Sequence, residues 1–121
     1  MATRNNCIIA SELDKKVQSK QTFVLNIVAN WCSDCTKQQE SMPYFKNMLI
    51  EKEVAVYELV AQYEKGDFID QRTKSLVEAL GGHGYPRTIL FVNGEAVSAD
   101  NIEVIDKAEL CALADNFLAM L

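Results

Sequence analysis

The 121 residues contain no cluster of lysine and arginine and carry a formal net charge of −5. Nucleic acid and anionic membrane surfaces both select clustered basic residues, so neither is expected as a partner. No apolar run approaches the roughly 20 residues of a membrane-spanning helix. Met1-Ala2-Thr3-Arg4-Asn5-Asn6 leads into only a short apolar stretch, unlike a secretory signal, and a cytoplasmic location is expected. A mature periplasmic or lumenal chain without its leader has the same composition. Repeats, linkers and low-complexity tracts are also lacking. With 49% apolar and 24% charged residues, the expectation is one domain over residues 1–121.

Histidine is scarce as well. His83 stands alone in a glycine-rich loop, where a general base is conceivable but a solvated loop residue is the ordinary role. Four cysteines are present, and two of them, Cys7 and Cys111, have no partner at metal or redox spacing. In their apolar surroundings they are expected to be small buried hydrophobes.

Cys32 and Cys35 are different. They stand at Cys-x-x-Cys spacing where a strand pattern gives way to a helix pattern. If a helix begins at or just after Cys32, the two sulfurs lie one turn apart on one face, within reach of a disulfide. Cys32 then meets free backbone N–H groups and the positive end of the helix dipole, which favour thiolate over thiol. Half of a zinc site has the same spacing, so the pair alone does not decide between redox and metal chemistry.

Along the chain, Cys7-Ile8-Ile9-Ala10 reads as a short strand, and Ser11 with Asp14 resembles a capping box opening a helix through about Lys20. Leu13 and Val17 give that helix its buried stripe. Thr22 to Ala29 is apolar at successive positions, the pattern of a central strand covered on both faces, with Asn26 as the exception. The Cys-x-x-Cys helix should extend to about Lys52, burying Met42, Phe45, Met48 and Leu49, with Pro43 bending it near Gln39. Val54 to Val60 is the next strand. Over Gly66 to Gly82 a helix capped by Asp67 presents Ile69, Thr73, Leu76, Val77 and Leu80. Thr88 to Val92 and Glu95 to Ser98 form a hairpin through Asn93-Gly94. Asp106 with Glu109 caps a last helix whose apolar face includes Leu110, Leu113, Ala114, Phe117, Leu118 and Leu121. Tyr57 and Tyr63 are expected to pack. The order β-α-β-α-β-α-β-β-α describes an α/β chain with a mixed central sheet flanked by helices on both faces.

Trp31-Cys32-Ser33-Asp34-Cys35 after an apolar strand, followed by Gly84-Tyr85-Pro86 before a strand ending in Asn93-Gly94-Glu95, resembles the thioredoxin family over nearly the whole chain. Within that family the Ser33-Asp34 pair, in place of the usual Gly-Pro, is similar to relatives with a Trp-Cys-x-Asp-Cys site. The resemblance implies a thioredoxin fold, a cis Tyr85–Pro86 bond beside the thiols, and strand-like binding of substrate by the Tyr85 backbone. It implies a thiol-disulfide oxidoreductase with Cys32 as nucleophile and Cys35 as resolver, and with Trp31, Tyr85 and Pro86 contacting substrate. It also implies partners: disulfide-containing proteins, and an electron donor that is a thioredoxin-reductase-like or other dithiol protein. No bound cofactor or metal is called for.

The departures from the family pattern concern tuning. Asn26 stands where thioredoxins bury an aspartate that assists proton transfer at the second cysteine, and an amide cannot act as that base. Val28 replaces a second tryptophan, and Arg87 follows the proline where threonine is usual, either tuning substrate choice or lying at the surface. Asp34 is expected to disfavour the neighbouring thiolate, or simply to be a carboxylate suited to the first helical turn. The alternative function is a thioredoxin-fold module that senses redox state or holds a partner with little turnover.

Overall fold

The computed structural model describes residues 6–82 and 84–121; the readings made of residues 1–5 and His83 lie outside the described residues. The run from Phe23 to Ala29 forms β1, and every residue in it is buried. Its side chains alternate between two cores. Phe23, Leu25 and Ile27 join Leu13, Leu59, Val77 and Ile89 on one face. Val24 joins Met42, Phe45, Leu49, Leu110 and Phe117 on the other. A strand covered on both sides has no polar face, which is why the sequence there is an almost unbroken apolar run.

Around β1 the sheet has the order β3-β2-β1-β4-β5, with β2 spanning Ala55–Glu64, β3 Asp67–Phe68, β4 Arg87–Val92 and β5 Glu95–Ile102. β1 and β2 are parallel, while β1 with β4, β2 with β3, and β4 with β5 are antiparallel. Among the described residues four helices flank it: α1 (Ala10–Gln18), α2 (Ser33–Ile50), α3 (Gln71–Ala79) and α4 (Lys107–Ala119). The core partition puts α2 and α4 on one face and α1 and α3 on the other. α2 runs on through Pro43, which is exposed. Asn93 (φ 52°) and Gly94 (φ 82°) both adopt positive φ, the turn that matches the right-handed twist of β4 and β5.

Several local expectations are corrected. The first strand is only a bridge between Cys7 and Glu58, because the chain turns into α1 at Ala10. The Glu12 carboxylate accepts the Ile9 N–H at 3.1 Å, so the helix opens two residues before the Ser11–Asp14 box. β2 runs four residues past Val60 and folds back as β3. Ile69 continues that hairpin, donating its N–H to the Ala61 carbonyl at 2.9 Å, and takes no part in a helix. Asp70, not Asp67, caps α3, accepting the Thr73 N–H at 2.7 Å, which holds the Asp70 carboxyl below its ordinary range.

Burial also differs from expectation at five positions. Cys7 is exposed and Cys111 half-buried, since the first ends at the bridge and the second lies beside, not on, the buried stripe of α4. Tyr63 is 60% exposed, one residue past the last pairing of β2 with β1. Leu121 lies past the last turn of α4 and is exposed. Arg87 is not at the surface: it is buried, donating from Nη1 to the Ala99 carbonyl at 2.9 Å with Asp100 Oδ1 at 3.5 Å.

Candidate active site

β1 ends at Ala29, and three residues later Cys32 is the N-cap of α2, in extended conformation (φ −85°, ψ 112°). Its Sγ accepts the Cys35 N–H at 3.1 Å. A sulfur therefore occupies the position that a Ser, Thr or Asp oxygen takes at an ordinary helix start, against the positive end of the helix dipole. The Cys32 carbonyl accepts the Thr36 N–H at 3.3 Å, which fixes the first turn.

On its other side Cys32 Sγ donates to the Tyr85 carbonyl at 3.6 Å, and the following Tyr85–Pro86 peptide bond is cis. Residues more than fifty positions apart in sequence thus form one site. Both thiols are free and buried, packed with Val28, Ala29, Val60 and the partly buried Tyr85. Burial pushes the Cys35 thiol well above its ordinary 9.0; the hydrogen bond with Cys32 and the charges of Cys32 and Asp34 act in the same direction, against a hydrogen bond with the Ala29 backbone. The Tyr85 hydroxyl is also raised, chiefly by burial and then by Cys35.

A groove of about 780 Å³ lies beside Cys32, with Trp31, Ser33, Asp34, Gln62, Phe68 and Tyr85 among its lining residues. The Trp31 ring meets Tyr85 edge-on at 5.9 Å and 85°. Its indole N–H donates to Gln62 Oε1 at 2.9 Å, and the Lys65 ammonium sits 5.4 Å from the ring centre. Gln62 and Lys65 were not among the residues expected from sequence. The only signal was a glutamine closing an apolar strand run, and nothing in the pattern said that β2 continues to the site.

Asn26 lies deeper in β1 and is 1% exposed. Gln38 Nε2 donates to the Val104 carbonyl at 2.9 Å, which turns Gln38 Oε1 toward Asn26. Asn26 Nδ2 donates to that oxygen at 2.7 Å, and Thr88 Oγ1 donates to Asn26 Oδ1 at 3.0 Å. Asn26 is thereby satisfied by neutral groups, as a buried polar side chain must be. Arg87 follows Pro86 but bonds to the β5 backbone and does not line the groove. Among the described residues no cluster of three or more His, Cys, Asp or Glu is arranged to hold a metal ion. No helix there is long and apolar enough to cross a membrane.

A mixed five-stranded sheet with two helices on each face and the Cys32–Cys35 pair where β1 enters α2 defines the thioredoxin fold. No family model and no curated protein matches the chain. Solved structures do. The chain is similar to the N21Q mutant thioredoxin from Halobacterium salinarum, with a TM-score of 0.64 and 20% identity over 98% of this chain and 94% of that one. It is similar to thioredoxin f2 from Chlamydomonas reinhardtii, with a TM-score of 0.66 and 15% identity over 91% and 93%. Trxlp from Edwardsiella tarda matches with a TM-score of 0.63 and 16% identity over 88% and 91%. At such identities the likeness is one of fold.

Proposed function

We propose that this chain is a thiol-disulfide oxidoreductase that reduces protein disulfides through Cys32 and Cys35. The observation that carries the reading is the bond from the Cys35 N–H to Cys32 Sγ at the start of α2, beside an open groove. In the mechanism, the Cys32 thiolate attacks one sulfur of a substrate disulfide, forming a mixed disulfide and releasing the other sulfur as thiolate. Cys35 then loses its proton and attacks Cys32 Sγ. The second substrate sulfur leaves as thiolate, and the Cys32–Cys35 disulfide holds the two electrons' worth of oxidation.

Trp31, Tyr85 and Pro86 are the substrate-contacting residues of this reading, with the Tyr85 backbone pairing to an extended segment. Asn26, Ser33 and Asp34 tune it. A thioredoxin-reductase-like or other dithiol protein restores the dithiol, and a cytoplasmic setting, where thiols are kept reduced, suits a reductase. Insulin reduction driven by dithiothreitol tests it: the wild type accelerates the reaction and Cys32→Ser abolishes the acceleration.

One observation favours a second reading, a redox-sensing or partner-binding module. Cys35 is held protonated by burial while Asn26 offers no carboxylate to take its proton, which slows release of a bound partner. Turnover on insulin at a thioredoxin-like rate excludes this reading; a stable mixed disulfide with little turnover favours it.

A further inference from the structure

We infer that Gln62 is a positioning residue that joins the Trp31 ring and the β2–β3 hairpin into one wall of the groove, and that this wall holds polypeptide substrates against Cys32. The inference rests on the oxidoreductase reading and extends it to how substrate is bound.

The pairing of β1 with β2 slips by one residue between Val28 and Ala29, so that Ala29 lies opposite Gln62. Irregularities of this kind re-aim a side chain, and they concentrate near active sites. Gln62 is 5% exposed, and its Oε1 serves two donors at once: the Trp31 indole N–H and the Gly66 N–H, both at 2.9 Å. Its own carbonyl accepts the Asn30 N–H at 2.9 Å. One residue therefore ties together the segment before Cys32, the indole and the tip of the hairpin. Gly66 has φ +84°, so its N–H is presented by a turn open to glycine, and Lys65 beside it sits over the face of the same indole.

The indole also meets Tyr85, whose carbonyl accepts from Cys32 Sγ. Loss of the shared acceptor leaves two donors without their partner and frees the indole to turn away from Tyr85. Phe68 and Gly66 also line the groove, so the hairpin is part of the wall. Gln62 does not touch the reacting sulfurs. Its effect is on binding of a substrate long enough to lie along the wall.

Trp31 is the single tryptophan of the chain, so intrinsic fluorescence reads its environment without interference from another indole. In Gln62→Leu, emission shifts to the red, acrylamide quenching increases, and KM for insulin rises about fivefold or more with a smaller change in kcat. Gln62→Glu keeps an acceptor for both donors and returns emission and KM to within about twofold of wild type. Should Gln62→Leu not fold, Gln62→Ala serves the same comparison. Wild-type emission and KM in the apolar variant, or a Gln62→Glu protein as impaired as Gln62→Leu, overturns the inference. Wild-type protein that reduces neither insulin nor dithiobisnitrobenzoate overturns the oxidoreductase reading instead, and the emission comparison then still decides whether Gln62 anchors Trp31.

Discussion

The backbone N–H of Cys35 donates to the sulfur of Cys32 at 3.1 Å, so one cysteine of the pair caps the helix that carries the other. The two thiols are consequently unequal. Cys32 sits at the helix terminus beside the groove, whereas burial holds Cys35 as a neutral thiol.

This inequality predicts the covalent intermediate. Cys35→Ser should trap a mixed disulfide between Cys32 and an insulin chain, visible as a thiol-sensitive band on non-reducing gels. Cys32→Ser should trap none. Equal trapping by both variants contradicts the assignment of nucleophile and resolver.

Alkaline pH should destabilise the reduced protein. Folding raises the Cys35 pKa above its unfolded 9.0, so the stability this provides is complete below pH 9.0 and is lost as pH rises toward the folded value. Urea midpoints of the reduced form should fall above that pH, and Cys35→Ala should flatten the fall. The release step should quicken with pH through the same range without a plateau set by a carboxylate.

Asn26→Asp places an acceptor against Gln38 Oε1. Gln38 cannot turn over without giving up its bond to the Val104 carbonyl. A loss of about 1 to 3 kcal/mol is expected from urea unfolding at neutral pH. If proton removal from Cys35 limits turnover, the same variant reduces insulin faster despite being less stable.

Gly81 has φ +127°, and a Cβ there would meet the Arg87 guanidinium at 2.5 Å from Nη1. Gly81→Ala should therefore lower stability by more than about 1 kcal/mol. Calorimetry checks this: an unchanged Tm would show that the buried guanidinium has room to move.

Asp34 lies between the cysteines, and its charge is one of the influences holding the Cys35 thiol up. Asp34→Asn should ease thiolate formation and shift the reduction potential upward by roughly 10 to 30 mV. Titration against glutathione measures it. A potential unchanged while the helix loses stability assigns Asp34 to the dipole of α2 alone.

Much of the architecture was readable from local pattern. The apolar run of β1, the Asn93-Gly94 turn, the Asp106 cap of α4 and the thiols at the opening of α2 are set by residues within a few positions of one another. Such signals survive in sequence because their physics is local: side-chain period, turn dihedrals and a cap bonding three residues on. The β2–β3 hairpin was not readable, because the stretch from Tyr63 to Phe68 carries no strand pattern and gains its order from pairing with residues already in the sheet. Arg87 escaped for a related reason: only the pairing of β4 with β5 brings the Ala99 carbonyl to a guanidinium that composition alone assigns to water.

The central strand, the helices, and two thiols one helical turn apart next to a helix start follow from local sequence pattern alone. What surrounds them arises only on folding: Tyr85 opposite Cys32, Gln62 under Trp31, and Asn26 closed in by Gln38 and Thr88. Those contacts join residues from different strands and helices, and their geometry is fixed by sheet register and burial, which exist only once the chain has folded.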